Sequence, residues 1–421
     1  MNTALTVLHQ LFGYPEFRGF QAAVIEHVSR GGDALVLMPT GGGKSLCFQI
    51  PILLRRGMGV VVSPLIALMQ DQVAALRHRG VAAAFLNASL TIGERQRVVR
   101  ELQAGRLKLV YVAPERLVSP DFLALLECQH QQGNLALFAI DEAHCIVEWG
   151  HDFRPEYRQL GILGQRFPGV PRMALTASAD PDARIDILSS LGMLNARQFV
   201  GSFDRPNLRY AVNNKKRPLG QLMHFLHRHG PSTSGIIYCP SRRLVDVLAQ
   251  RLTDEGWPCL PYHAGMDAAT RLRHQQYFLE SVRPIMVATL AFGMGVDKPD
   301  IRYVVHWAVP RTMEGYYQET GRAGRDGKIA EALLLYDFRD LCFPVDRQTQ
   351  EKDLRERWRA LRGYAETERC RRQVLLAYFG ETAPDFCGAC DCCDKHYRSW
   401  TGEARRQSPC RSWIMSPSRR R

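Results

Sequence analysis

Residues 38–45, Met38-Pro39-Thr40-Gly41-Gly42-Gly43-Lys44-Ser45, constrain the fold of this chain more than any other stretch. They follow an apolar run at 34–38 and lead into a helical pattern from Leu46. A strand, a glycine-rich turn and a helix in that order make one unit of a parallel α/β sheet. In such a turn Gly41, Gly42 and Gly43 let backbone N–H groups face an anion, and the helix N-terminus adds its dipole. Lys44 would bring a point charge to the β/γ-phosphates, and Ser45 a hydroxyl to Mg²⁺. The strict P-loop pattern has glycine at position 38, where this chain has Met38, so the segment has the shorter Thr-Gly-x-Gly-Lys-Ser form. The plain alternative is a glycine-rich turn that happens to precede Lys-Ser.

The rest of the chain agrees with the parallel-sheet reading. Short β-branched runs at 34–38, 59–63, 107–112, 136–140 and 173–176 alternate with helical patterns. A second set at 234–239, 259–262, 284–289, 303–307 and 332–336 repeats the theme. Such runs read as strands buried on both faces. The stretch 201–218 has few apolar runs and reads as a linker. From Arg339 the pattern turns helical, with a charge-rich segment at 347–366 and an amphipathic one at 369–379. The expected fold is therefore α/β, with two tandem parallel-sheet domains at 1–203 and 204–338. A small helical module (339–396) and a basic, unstructured tail (397–421) would follow.

With 421 residues, 46% of them apolar, the chain can bury sizeable cores, which excludes a disordered protein and a disulfide-stapled mini-protein. No apolar stretch reaches the ~18–20 residues a bilayer span needs. The first residues lack the basic-then-apolar layout of a secretory signal. These features predict a soluble, cytoplasmic protein. The net charge of +13 favours a polyanionic partner. Nearly half of it sits in residues 397–421, where seven arginines face one glutamate.

Three further groups carry chemistry. Asp141-Glu142-Ala143-His144 follows the apolar run 135–140. A carboxylate at the end of a strand beside a P-loop strand can hold Mg²⁺, here Asp141, while Glu142 would orient and polarise an attacking water. Alone, such a segment is equally an acidic surface loop. The second group is Gln318-Glu319-Thr320-Gly321-Arg322-Ala323-Gly324-Arg325. Arg322 and Arg325, three apart, would share one helical face and reach one phosphate group; the alternative is a solvated basic turn. The third is Cys387-Gly388-Ala389-Cys390-Asp391-Cys392-Cys393. Cys387, Cys390 and Cys393, with Cys370 on a preceding helix, have the spacing of a tetrahedral, structural Zn²⁺ site. Cys392 is extra, either a packed thiol or an alternative ligand, and redox cysteines are the competing reading of the cluster. The segment 149–155 places Trp149, His151, Phe153 and Arg154 together, which suits either a hydrophobic plug or base stacking.

Taken together these residues resemble a superfamily-2 helicase, and more narrowly the RecQ family of DNA helicases, from about Leu11 to Cys393. Leu11-Phe12-Gly13-Tyr14, Phe17-Arg18 and Gln21 resemble that family's adenine motif. The resemblance implies that Tyr14 stacks on the base and that Arg18 and Gln21 meet its polar edge, beside Thr40 and the phosphate loop. It implies that residues 63–72 and 113–116 line a single-strand track. It also implies that 174–179 and 291–298 couple hydrolysis to motion, with Asp297 near the γ-phosphate. The aromatic loop with Trp149, His151, Phe153 and Arg154 would sense single-stranded DNA. Residues 370–393 match the family's four-cysteine zinc module. RNA helicases share the Asp141–His144 letters, but their last motif usually begins with His, where this chain has Gln318. The resemblance implies that the two parallel-sheet domains are RecA-like and that the chain is an ATP-dependent DNA helicase moving 3′→5′ on single strands and unwinding duplexes in repair or recombination. The cofactors would be ATP, Mg²⁺ and Zn²⁺, and a single-strand-binding protein is a candidate partner. A DNA-dependent ATPase that mainly binds or anneals strands is the second reading. RecQ relatives usually continue into a winged helix, for which the 28 residues after Cys393 are too few. The arginine-rich end either supplies duplex affinity or is an unstructured terminus.

Overall fold

The computed structural model describes residues 3–39, 41–147, 155–293, 296, 298–341 and 351–394. Its first sheet is built from β1 (Ala34–Leu37), β2 (Met58–Val62), β3 (Ala83–Leu86), β4 (Leu109–Val112), β5 (Leu135–Ile140), β6 (Arg172–Thr176) and β7 (Arg197–Val200). Its second is built from β8 (Leu208–Asn214), β9 (Ser234–Tyr238), β10 (Cys259–Tyr262), β11 (Ile285–Ala288), β12 (Ile301–His306) and β13 (Ala330–Tyr336). The strand orders are β3-β4-β2-β5-β6-β1-β7 and β10-β11-β9-β12-β13-β8. All pairings are parallel. The central strands β1, β2, β4 and β5 are buried along their whole length, as helices on both faces of a parallel sheet require.

The register places the functional loops. Leu37 pairs with Thr176 and Ile140 with Ala174, so the segments after β1, β5 and β6 leave the sheet side by side. Ligands of open α/β sheets bind outside the carboxyl ends of the strands.

The stretch 201–218, expected to be a linker, is one only in part. Residues 208–214 form β8, which pairs with β13 from Leu208↔Ala330 to Tyr336↔Asn214. The strand escapes a hydropathy reading because only one of its ends is apolar and it lies at the edge of the sheet. That edge is covered by the cysteine loop: Tyr210 N–H donates to the Ala389 carbonyl at 3.3 Å, and Asp391 N–H to the Tyr210 carbonyl at 3.0 Å. An uncovered edge would invite pairing with another chain.

The helical module comprises the helices Glu351–Glu366 and Arg371–Tyr378. One hydrophobic cluster runs from Phe138 in the first sheet through Phe203 and Tyr316 to Leu376 and Phe379 in the module. The Phe203 and Phe379 rings stack at 4.5 Å with planes 7° apart, a pair worth about 0.5–1.5 kcal/mol beyond its buried area. Both sheets and the module therefore share one core.

Candidate functional site

Gly43 caps the helix Lys44–Leu54 with φ +78. A side chain there would be strained, and its Cβ would meet Gln21 Nε2 at 2.5 Å. Glycine is thus required twice over, by backbone and by space. Gln21 is buried and committed to this turn: its Nε2 donates to the carbonyls of Gly42 and Gly43 at 3.1 and 3.2 Å, and its Oε1 accepts from Arg18 N–H at 2.9 Å. The residue expected at a base edge holds the glycine loop. Tyr14 is 45% exposed close by in the chain, and Arg18 is exposed. Lys44 Nζ donates to the Met38 carbonyl at 3.2 Å, and Lys44 and Ser45 are both half-buried. Thr40 lies outside the described residues.

Asp141 leaves β5 beside this loop. Burial pushes its carboxyl up to about 7, and the neighbouring Glu142 charge pushes the same way. Lys44 and the Glu142 N–H, which donates to Asp141 Oδ1 at 3.0 Å, oppose the shift. A half-buried, desolvated carboxylate at a strand end, next to a second carboxylate, suits a divalent cation. Glu142 has φ +50, the one non-glycine residue with positive φ among those described. Such strain costs of order 1–3 kcal/mol and persists where the surroundings enforce it.

A polar chain leads from Glu142 to the second sheet. His144 Nδ1 lies 3.3 Å from Glu142 Oε2 and 2.9 Å from Thr176 Oγ1. The Thr176 hydroxyl donates to the Ser178 carbonyl at 3.1 Å, so it accepts from His144, and the ring proton sits on Nδ1. That leaves Nε2 as acceptor towards Gln318 Nε2, at 3.5 Å. Gln318 also donates to Ser178 Oγ at 2.8 Å. The structure thereby brings together Glu142, segment 174–179 and Gln318. Thr312 fixes the helix Met313–Thr320 that carries Gln318, its Oγ1 accepting from Gly315 N–H at 3.0 Å.

The arginines do not share a helical face. The helix ends at Thr320, and Arg322 and Arg325 lie in the turns that follow, where Gly324 has φ +62. The two side chains still converge on the cleft. Arg325 Nη1 donates to the Val296 carbonyl at 2.7 Å, and its Cγ and Cδ lie 3.5 Å from where a Cβ on Gly41 would stand. Arg325 therefore spans from the second sheet to the glycine loop. Arg322 is buried beside Gly293 and the Tyr238 hydroxyl. Its Nε has no hydrogen-bond partner among the described residues. An unsatisfied buried guanidinium nitrogen fits an anionic group that arrives from outside. Asp297 lies outside the described residues.

The expected DNA loop, with Trp149, His151, Phe153 and Arg154, also lies outside them. Its flanks are described. It departs from the 3₁₀ turn Ala143–Ile146, which carries His144, and returns into the helix Pro155–Gln159, whose Tyr157 hydroxyl donates to the Asp141 carbonyl at 2.9 Å.

The sulfur atoms of Cys370, Cys387, Cys390 and Cys393 lie within 4.8 Å of one another. Zn–S bonds of about 2.3 Å in a tetrahedron put sulfurs about 3.8 Å apart, and Cys370 and Cys390 are separated by 4.0 Å. Four soft thiolate donors fit Zn²⁺ and leave no open position. Cys392 stands outside the four and donates to the Thr367 carbonyl at 3.6 Å. The loop is braced by Arg371, fully buried, which reaches Asp391 with Nε at 2.7 Å and Nη2 at 2.9 Å.

Sequence reading missed Arg205 and Asn207 ahead of β8 and Arg372 on the module helix, all of which bond to backbone carbonyls far away in the chain. For the first two the one available signal was the polar run Asp204-Arg205-Pro206-Asn207 ahead of an edge strand; Arg372 had none.

Residues 18–185 match the DEAD/DEAH box helicase family, 215–327 the helicase conserved C-terminal domain, and 335–394 the RecQ zinc-binding family. The chain is 47% identical over 397 residues to the ATP-dependent DNA helicase RecQ of Haemophilus influenzae, covering 93% of this chain and 63% of that protein. To the ATP-dependent DNA helicase RecQ of Bacillus subtilis it is 40% identical over 404 residues, covering 93% and 67%. The chain thus spans less than two thirds of the length of the Haemophilus protein. Among solved structures it is similar to Mss116p bound to ssRNA and AMP-PNP, with a TM-score of 0.64 at 18% identity, over 80% of this chain and 72% of the other. At that identity the likeness concerns the fold.

Proposed function

Because the chain belongs to the RecQ helicase family, we propose that it is an ATP-dependent DNA helicase that moves 3′→5′ on single-stranded DNA and separates duplexes, in DNA repair or recombination. One observation carries this reading: Arg325, from the second sheet, packs on Gly41 of the phosphate loop on the first. A nucleotide there would be gripped from both sides, so hydrolysis would change how the sheets engage.

Lys44 and the N–H groups of residues 41–45 hold the β/γ-phosphates. Tyr14, Arg18 and Gln21 receive the base, Gln21 by exchanging its loop carbonyls for it. Ser45 and Asp141 are the residues that would hold Mg²⁺, which when bound neutralises phosphate charge. Glu142 orients the attacking water and takes up its proton. Arg322 and Arg325 stabilise charge developing on the γ-phosphate; such an arginine is worth on the order of 10³–10⁵ in rate. Gln318, bonded to Ser178 and near His144, reports the state of Glu142 to the second sheet. Asp297 and Thr40 complete the nucleotide site. Trp149, His151, Phe153 and Arg154 stack on and steer single-stranded DNA. Zinc on Cys370, Cys387, Cys390 and Cys393 is structural. Units of 1–203, 204–338 and 339–396 describe this division of labour. Among the described residues no helix is long and apolar enough to cross a membrane, and we place the protein in the bacterial cytoplasm at the nucleoid.

The test is strand separation of a duplex with a 3′ single-stranded tail, with ATP and with a non-hydrolysable analogue. Separation with ATP alone supports the reading. ATP hydrolysis accompanied by annealing but no separation would favour a strand-binding ATPase instead.

A further inference from the structure

Arg205 lies between β7 and β8, outside every segment to which a role was given above. Its Nη1 donates to the Gly321 carbonyl at 2.9 Å, and its Nη2 to the carbonyls of Ala323 and Gly324 at 2.9 and 3.1 Å. Asn207 Nδ2 donates to the carbonyls of Gly324 and Lys328 at 2.8 and 2.9 Å. These bonds all close on the one turn that carries Arg322 and Arg325. Past the end of its helix that turn bonds to itself through Arg322 N–H to Glu319, Ala323 N–H to Thr320 and Gly327 N–H to Gly324, at 3.3, 3.1 and 3.1 Å. It bonds to the start of β12 through Gly324 N–H to Ile301 and Asp326 N–H to Pro299, at 2.9 and 3.2 Å. The carbonyls of Gly321 and Ala323 are the ones that Arg205 gathers. The guanidinium fork presents several donors in one plane, which suits it to gather neighbouring carbonyls.

The zinc module holds the same stretch of chain from the other side. Arg372 Nη1 contacts Asp204 Oδ1 at 2.7 Å, and its Nη2 donates to the Leu208 carbonyl at 2.6 Å. The Glu381 carboxylate accepts from Ser202 Oγ at 2.5 Å and from Phe203 N–H at 2.7 Å. Residues 202–208 are thus fixed on one side and grip the arginine turn on the other.

We propose that Arg205 is a positioning residue for hydrolysis: it sets the turn 321–328, and with it the reach of Arg325 to Gly41 and of Arg322 to Gly293, while Arg372 and Glu381 of the zinc module hold Arg205 in place. The inference rests on the proposed roles of Arg322 and Arg325. It gives the zinc module a part in hydrolysis without a ligand to the nucleotide. Misplacing a reacting group by about 1 Å can cost on the order of 10² in rate.

The experiment uses the full chain carrying Arg205→Ala or Arg205→Lys. It measures ATP turnover with saturating single-stranded DNA, affinity for a fluorescent ADP analogue, and hydrogen exchange across residues 321–328. For Arg205→Ala we expect kcat to fall about 10²-fold while ADP affinity changes little. Exchange at 321–328 should accelerate while the strands of the second sheet keep their protection. Arg205→Lys should stay impaired, because an ammonium cannot span the three carbonyls, and sub-denaturing guanidinium should partly restore the alanine variant. Unchanged kcat, or a fall in kcat and ADP affinity together with lost protection throughout the sheet and no guanidinium rescue, would overturn the proposal. A parent chain without ATPase activity would sink the helicase reading alone. Exchange would then still decide the clamp, acceleration at 321–328 supporting it and no change overturning it.

Discussion

The loops at the carboxyl ends of the first sheet and the zinc module are built on opposite plans. In the first, the chemistry-bearing side chains stand on turns directly after buried strands, and nearby backbone holds them: Lys44 by Met38, Asp141 by Glu142. In the module the polar side chains are buried and their partners are remote in sequence: Arg371 with Asp391, Arg372 with Leu208, Tyr378 with Glu314. Residues of the first kind can be changed without opening a core. Residues of the second kind cannot, and what they disturb is the join between the sheets.

Lys44→Ala tests that contrast most severely. ATP turnover should fall to background while the melting temperature stays at the parent value, since a half-buried residue at the first position of a helix, away from the core, changes stability by only about ±0.5 kcal/mol. A coincident loss of stability would erase the distinction. Cys390→Ser should do the reverse. Elemental analysis should find zinc in the parent and not in the variant, and the module should unfold at lower temperature, since a structural zinc site contributes of order 10 kcal/mol. Nucleotide binding should survive, because the phosphate loop rests on its own sheet. Phe379→Ala should cost about 3–5 kcal/mol in a denaturant titration, with kcat falling before ADP affinity does.

Two smaller effects sharpen the picture on the nucleotide side. Trp149→Ala or Phe153→Ala should lower DNA-stimulated turnover more than DNA-free turnover, by about 1–3 kcal/mol of stacking per base; equal loss of both rates together with stability would instead mark a hydrophobic plug. The smallest effect is a pH dependence. Burial raises the Asp141 carboxyl from 3.8 to about 7. The folded chain then binds that proton more tightly than the unfolded chain, so this group's contribution to stability declines as pH rises from 3.8 towards 7 and is lost above it. Without Mg²⁺, Asp141→Asn should melt higher than the parent at pH 8 and close to it near pH 4. A constant difference at both pH values would contradict the burial of a charge at that site.

The same contrast explains what could be read from the sequence. Strands buried on both faces, such as β2 and β5, appear as unbroken apolar runs, and the glycine loop and Asp141-Glu142 announce themselves by local order. Three strands were invisible. β3 (Ala83–Leu86) is alanine-rich, β7 (Arg197–Val200) buries only Phe199, and the outer side of β8 is covered by the Ala389–Asp391 loop, about 180 residues away in the chain. The paired arginines are legible, but the helical face expected to hold them both is not formed, because the helix ends at Thr320 and Gly324, with φ +62, turns the chain. The cysteine spacing showed the four thiols, and only the structure separates Cys392 from them. Arg205 had no signal beyond its place in the polar run 204–207, because its partners are carbonyls, which every residue has.

The central claim is that the second sheet completes a nucleotide site on the first through Arg325. The direct measurement is single-turnover ATP hydrolysis with single-stranded DNA, beside ADP-analogue affinity, for the parent chain and Arg325→Ala. The account predicts hydrolysis slower by on the order of 10³-fold or more, with affinity changed far less. Hydrolysis at the parent rate would contradict it.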